Sequence, residues 1–320
     1  MDLRREYEHR RVIVTGAAGF VGSHLADALV ALDAKVVAVD DLSDGREANL
    51  AASFPQITFV RRSVAEEAGL DDLFAGAEVI FHLAANASVP RSVERPEEDF
   101  KANVLGTYHV LEAARRTRAQ RLVFTSSAAV YGDPVREPMD ESHPFSPKSP
   151  YGGSKLAAEF LLDSYSRCFD FDQRRVRLFN TYGPRQRKYV MFDLLEKLRA
   201  DPKHLAMLGA GDQVRDYSFV SDTVDAILLV GAHPEARGHV YNVAGDRAID
   251  IRALIDLVIR ILGIPRPQVT FTGQSWKGDI VRWIGDTSRL RALGFAPRVN
   301  LEEGIRRLVD WHRAEFAPPW

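Results

Sequence analysis

A single cysteine, Cys168, stands among the 320 residues. No intrachain disulfide and no multi-cysteine zinc cage can form, which suits a reducing cytoplasm. A charge bias is also lacking: 42 Lys plus Arg face 44 Asp plus Glu, giving a formal charge of −2. That balance leaves no basic field for nucleic acid or an anionic membrane. No stretch reaches the roughly 18 uninterrupted apolar residues of a membrane span. The opening MDLRREYEHRR is too charged for a secretory signal and is expected to be a short frayed lead-in. Repeats and low-complexity tracts are absent, and 46% apolar residues describe an ordinary folded chain. Its length exceeds the roughly 250 residues at which one core usually stops growing, so a large domain with a smaller companion is expected.

From Arg11 onward, short β-branched runs alternate with helix-length amphipathic segments. The runs are Val12 to Thr15, Lys35 to Asp41, Ile57 to Val60, Glu78 to Ala85, Arg121 to Ser127 and Arg174 to Asn180. Near-continuous apolar runs of this kind read as strands buried on both faces. Helices are expected near Val21 to Leu32, Glu97 to Arg118 and Gly152 to Phe169. This alternation predicts an α/β fold with an open, doubly wound parallel sheet. Beyond Asn180, Ser221 to Val230 reads as a helix and His239 to Val243 as a strand returning to the sheet. Ile251 to Leu262 and Leu301 to His312 read as helices of a smaller mixed α/β lobe. The division expected is a nucleotide-binding Rossmann domain over 10–180 plus 219–245 and a substrate lobe over 181–218 plus 246–320. The ligand cleft belongs at the carboxyl ends of the strands.

TGAAGFVG, with Gly16, Gly19 and Gly22, follows the first strand and opens the first helix. A tight turn, close backbone approach and free helix N-terminal amides together suit a pyrophosphate. Asp40, eighteen residues past Gly22, ends the second strand, near the spacing expected for a carboxylate on the adenosine ribose hydroxyls. A 2'-phosphate about 4 Å from that carboxylate would meet several kcal/mol of repulsion at intermediate dielectric. NAD is therefore expected over NADP, and Asp41 strengthens the argument. At the other end of the cleft, Tyr151 and Lys155 in YGGSK share one helical face. A lysine ammonium beside a phenol stabilises the phenolate and lowers its pKa toward that of a useful general base. Ser127, ending the fifth strand in TSSAAVYG, supplies a third hydroxyl at the same sheet edge, while Ser126 reads as a strand-end serine bonding backbone.

With these motifs the sequence resembles the extended short-chain dehydrogenase/reductase family, specifically its nucleotide-sugar epimerases and dehydratases. The likeness spans roughly Arg11 to Trp311. It includes VVAVDDLSDG, FHLAA, SVPRSVERP, NVLGT, RLFNTYGPRQ and GAGDQVRDY. It implies a catalytic triad of Ser127, Tyr151 and Lys155. It places Phe20, Val21, Asp41, Ser43, Gly45, Ser63, Val64, Leu83, Ala84, Ala85, Asn103 and Thr125 on a tightly held NAD. It sets Ser88, Asn180, Arg215 and Trp283, with Ser127 and Tyr151, on the substrate. The helices near Glu97 to Arg118 and Gly152 to Phe169 resemble those that pair across a homodimer as a four-helix bundle.

Departures from the family pattern narrow the reaction. Dehydratases carry an Asp-Glu pair, and decarboxylases a Glu, where this chain has Ala128 and Ala129, and an alanine cannot transfer a proton. Elimination across carbons 5 and 6 is thereby disfavoured, and 4-epimerisation of a nucleotide-activated hexose or hexuronate, most simply a UDP-sugar, is the expected reaction. A nucleotide-sugar 4-ketoreductase or dehydrogenase is the alternative, and an idle NAD-binding regulator a third reading. Trp276 occupies the position where related epimerases have a diphosphate-binding Arg, leaving Lys277 or Arg282 to supply that charge. Trp283 is read as the wall beside sugar carbon 2, with a lobe-interface tryptophan as the competing reading. His82 lacks a second ligand at metal spacing, so no metal is expected. Cys168 is read as a small buried hydrophobe.

Overall fold

A computed structural model describes residues 1–274 and 278–317. Seven strands form the central sheet: β1 (Arg11–Thr15), β2 (Lys35–Asp40), β3 (Thr58–Arg61), β4 (Val79–His82), β5 (Arg121–Ser127), β6 (Gln173–Leu178) and, after three strands of the smaller lobe, β10 (Val240–Val243). Their order is β10-β6-β5-β4-β1-β2-β3, and every pairing is parallel. The chain winds outward from β1 through β2 to β3, then restarts on the other side of β1 with β4. This reversal is the switch point at which open α/β sheets bind ligands.

The lobe strands are β7 (Asn180–Tyr182), β8 (His204–Met207), β9 (Val214–Phe219), β11 (Ala248–Asp250), β12 (Gln268–Phe271) and β13 (Arg282–Trp283). β9 pairs with β7, β11 and β13, while β8 pairs with β12. Apolar side chains of the helices Tyr189–Ala200, Ile251–Leu262 and Leu301–Phe316, such as Leu194, Leu254, Ile255 and Leu308, bury against these strands as a second core. The main core lies on both faces of the large sheet, as the double winding requires.

Four expectations change. The N-terminal segment is not frayed: Leu3–Tyr7 is helical, and the buried Tyr7 donates its hydroxyl to the Leu228 carbonyl at 2.7 Å. β4 ends at His82 rather than Ala85, because the backbone of Leu83 and Ala84 turns onto Gly16. The expected Glu97 to Arg118 helix is interrupted between Pro96–Phe100 and Gly106–Arg116 by a π turn at Lys101–Leu105. Cys168 is exposed, because it falls on the outward face at the end of the helix Pro150–Phe169. Among the described residues no helix is long and apolar enough to cross a membrane.

Candidate active site

The cofactor end follows from what the glycines must avoid. Gly16 has φ +70°, and a Cβ there would lie 2.6 Å from the Ala84 nitrogen. At Gly22 a Cβ would meet the Gly16 carbonyl oxygen at 2.0 Å. Only glycine lets the first turn, the helix Phe20–Ala31 and the post-β4 loop converge this closely. Gly19 caps the helix, Phe20 and Val21 open it, and Gly45 lies against Ala18 and Asp40. Asp40 is buried and accepts the Ala18 and Leu42 N–H groups at 2.9 and 2.8 Å, and burial raises its pKa despite both bonds. Asp41 accepts the Ser43 N–H at 2.9 Å and so shapes the following turn. Ser63 accepts the Ala65 N–H at 3.3 Å, and Val64 is buried. Leu83 N–H bonds the Thr15 carbonyl at 3.1 Å, and Ala85 follows in the same loop. Asn103 is a brace: its Oδ1 accepts the Asn86 N–H at 2.8 Å, and its Nδ2 reaches Asp99 and Ser154, both at 3.0 Å.

At the catalytic end, Pro150 and the Ser149 cap start the helix that presents Tyr151 and Lys155. Gly152 lets this helix approach the turn Ala128–Val130 after β5 closely, since a Cβ there would sit 2.5 Å from the Ala129 carbonyl oxygen. Lys155 is buried, donates to the Thr125 carbonyl at 2.9 Å, and lies 4.8 Å from the Phe124 ring centroid. Burial lowers its pKa to about 8, against the pull of Asp99 and Glu159. Tyr151 differs from the sequence expectation. Burial pushes its phenol up to about 12, and a hydrogen bond with Ser127 opposes that rise only in part. Ser127 also accepts the Ala129 N–H at 3.2 Å. Ser126 points away from the cleft and donates to Glu159 at 2.5 Å, so it bonds a side chain rather than backbone. His82 is held between Thr15 and Thr107 at 2.7 and 3.0 Å, and burial lowers its pKa to about 3, leaving a neutral structural imidazole.

Trp283 Nε1 in the smaller lobe and Thr125 Oγ1 on β5 are buried polar atoms without a hydrogen-bond partner among the described residues, and the Asn180 side chain lies against Asp216. Such unpartnered atoms are uncommon in native proteins and are usually met by water, an ion or a ligand. Arg215 is already engaged, donating to the Val214 and Val281 carbonyls and to Asp279, each at 2.9 Å. Its guanidinium carbon lies 5.8 Å from the Trp283 ring centroid. Trp283 meets Phe179 edge-on at 6.2 Å and packs against the cluster containing Ala128. Ser88 caps the helix Val89–Glu94 by accepting the Arg91 N–H at 3.3 Å. Arg282 is exposed and forms a two-pronged ion pair with Glu137 at 2.8 to 3.1 Å. Trp276 and Lys277 lie outside the described residues.

The family model described as "NAD dependent epimerase/dehydratase family" matches residues 12–244. The chain belongs to this family. A curated relative, the UDP-glucose 4-epimerase of Mycolicibacterium smegmatis, is 39% identical over 95% of this chain and 98% of its own. A dTDP-glucose 4,6-dehydratase of an Actinoplanes species is 31% identical over 95% and 98%. Among solved structures, the UDP-N-acetylglucosamine 4-epimerase of Methanobrevibacter ruminantium superposes with a TM-score of 0.90 at 30% identity, covering 97% and 100% of the two chains. As an epimerase/dehydratase family member the chain uses NAD, and the cradle closed at Gly16 and Gly22, with the buried Asp40, fits that cofactor.

Sequence reasoning did not single out three residues that the structure sets near these groups. Glu159, one helical turn past Lys155, forms a buried pair with Arg177 at 2.6 Å behind Ser126. A charged residue inside an otherwise buried strand was the available signal. Asp216 accepts the Gly285 N–H at 2.7 Å beside Asn180, and burial raises its pKa to about 7. Tyr189 stands across the cleft, and nothing in its sequence context marks it.

Proposed function

We propose that this protein is an NAD-dependent 4-epimerase of a nucleotide-activated hexose or hexuronate, with a UDP-sugar as its substrate. The observation that carries the reading is a complete Ser127, Tyr151 and Lys155 set beside two buried alanines, Ala128 and Ala129. Dehydration needs a positioned acid and base at that place, and alanine is neither. The relatives called UDP-glucose 4-epimerase support the choice within a family that also holds dehydratases.

NAD, when bound, supplies the hydride acceptor and a positive ring. Residues 10–180 and 219–245 would hold it tightly, the glycine loop on the pyrophosphate and Asp40 on the adenosine ribose. Residues 181–218 and 246–320 would carry the nucleotide sugar, with Arg215 and, from the end of the larger domain, Asn180 on the diphosphate and nucleoside and Trp283 beside carbon 2. Tyr151 takes the proton of the sugar 4-hydroxyl. Burial keeps that phenol protonated at neutral pH, so its ionisation requires added positive charge, which Lys155 carries below about pH 8. Ser127 holds the Tyr151 oxygen in line. A return of hydride to the opposite face of the 4-keto sugar inverts carbon 4 without net redox change.

A homodimer accompanies the proposal, because Phe100, Phe160 and Phe169 each expose more than half of their surface on or beside the two helices flanking the sheet. A cytoplasmic setting goes with this reading, since a single cysteine suits a reducing compartment. Purified protein given UDP-glucose, without added NAD, should yield UDP-galactose; turnover only with added NADH or NADPH would instead identify a reductase.

A further inference from the structure

The smaller lobe reaches back over the cofactor face through residues 183–189. Pro184 carbonyl bonds His24 at 2.9 Å, Arg185 pairs with Asp27 at 2.7 Å, and Lys188 pairs with Asp44 in the loop after β2. Tyr189 follows with φ +71°, a left-handed conformation that a bulky residue seldom adopts. Its side chain is no core filler, being 48% exposed. Instead its hydroxyl donates to the Ala87 carbonyl in the loop after β4. That loop is tied to the general base through Asn103, which accepts from Asn86 N–H and donates to Ser154, whose hydroxyl in turn bonds the Tyr151 carbonyl at 3.0 Å. Desolvation by the surrounding protein, then the charge of Tyr151, raises the Tyr189 pKa even though nearly half of the residue stays exposed. A strained backbone that pins an aromatic side chain across a cleft marks a functional placement.

We propose that Tyr189 closes the sugar pocket over Tyr151 and retains the 4-keto sugar there between oxidation and reduction. The pin on Ala87 and the Lys188 pair with Asp44 hold the ring in place. The inference rests on the 4-epimerase reading. In the first half-reaction the sugar C4–H bond breaks and its hydride passes to NAD⁺, while the 4-hydroxyl proton goes to Tyr151. In the second half-reaction both return. A keto sugar that escapes between them leaves the protein holding NADH, with no carbonyl left to take the hydride back. Retention is therefore a chemical requirement, and Tyr189 is the residue placed to meet it.

The test compares the unmodified protein with Tyr189→Phe, which removes only the hydroxyl, and Tyr189→Ala, which also removes the ring. Each is incubated with UDP-galactose while reduced-nicotinamide absorbance and free 4-keto sugar are followed, the latter by mass spectrometry of the filtrate. Both variants should release more keto sugar and accumulate more NADH per turnover, by roughly two- to tenfold in the phenylalanine variant, the effect of losing about one hydrogen bond of retention. The alanine variant should leak more than the phenylalanine variant. Unchanged partition between epimer and keto sugar overturns the role, whatever the fall in kcat. If the unmodified protein inverts no nucleotide sugar at carbon 4, the epimerase reading itself fails and this inference falls with it. Retained NAD and an unaltered melting temperature in Tyr189→Phe show that any leak is not a folding defect.

Discussion

As the proposed general base, Tyr151 shows how far such a group depends on its surroundings. In the protein alone, burial outweighs the Ser127 hydrogen bond and moves the phenol away from useful ionisation. Tyr151→Phe should leave fold and bound NAD intact yet lose about 10² to 10⁴ in turnover, the usual worth of a positioned acid/base group. Steady-state rates with a UDP-hexose check this, and near-unchanged rates would remove Tyr151 from the mechanism. Asp216 makes a second residue-scale case, through stability. Its folded pKa of about 7 lies above the ordinary 3.8. Below pH 4 folded and unfolded chains both carry the proton, and the group costs nothing. As pH rises toward 7 the unfolded chain gives up its proton first, so stability falls, by a few kcal/mol at most. Asp216→Asn should therefore be more stable than the unmodified protein above pH 7 and converge with it near pH 4. Melting temperatures across that range decide the matter, and a pH-independent difference would refute the assignment.

The elements show what a sequence displays and what it conceals. The seven parallel strands, the glycine turn and the Tyr151 helix were all legible, because burial on both sheet faces and a helix N-terminus each impose a residue pattern. The end of β4 was not legible. Leu83 to Ala85 is as apolar as the strand before it, and only the approach of Gly16 stops the ladder. Arg177 of β6 stood out as a charge in a buried strand, but its partner was opaque, since Glu159 comes from the helix Pro150–Phe169. Glu159 meets Arg177 at 2.6 Å with both side chains almost fully buried. Glu159→Ala leaves that guanidinium uncompensated and should cost about 3 to 5 kcal/mol in urea unfolding. A loss under about 1 kcal/mol, as for a surface pair, would contradict this. Trp283 was placed by resemblance, and β13 sets it between Arg215 and the Ala128 cluster. An acetamido group beside so large a side chain should meet about 1 to 3 kcal/mol of overpacking. Hexose donors should thus be favoured roughly tenfold to hundredfold over 2-acetamido ones. Trp283→Ser should relax that ratio of kcat/KM values, and an unchanged ratio would sink the pocket-wall reading.

At the scale of the molecule, the reversal between β1 and β4 opens the cleft, and the smaller lobe closes over it through β7, β9, β13 and the Tyr189 segment. The carboxyl ends of the strands thereby bring together an NAD cradle, the Ser127 strand end and the helix that carries Tyr151 and Lys155. The central claim is that this arrangement inverts carbon 4 and returns the hydride. The most direct measurement incubates the purified protein, with no added cofactor, with a panel of UDP-hexoses and UDP-hexuronates and follows each by mass spectrometry and NMR. The account predicts a product of identical mass with inverted configuration at carbon 4. Loss of water, net oxidation, or conversion that consumes reduced nicotinamide stoichiometrically would contradict it.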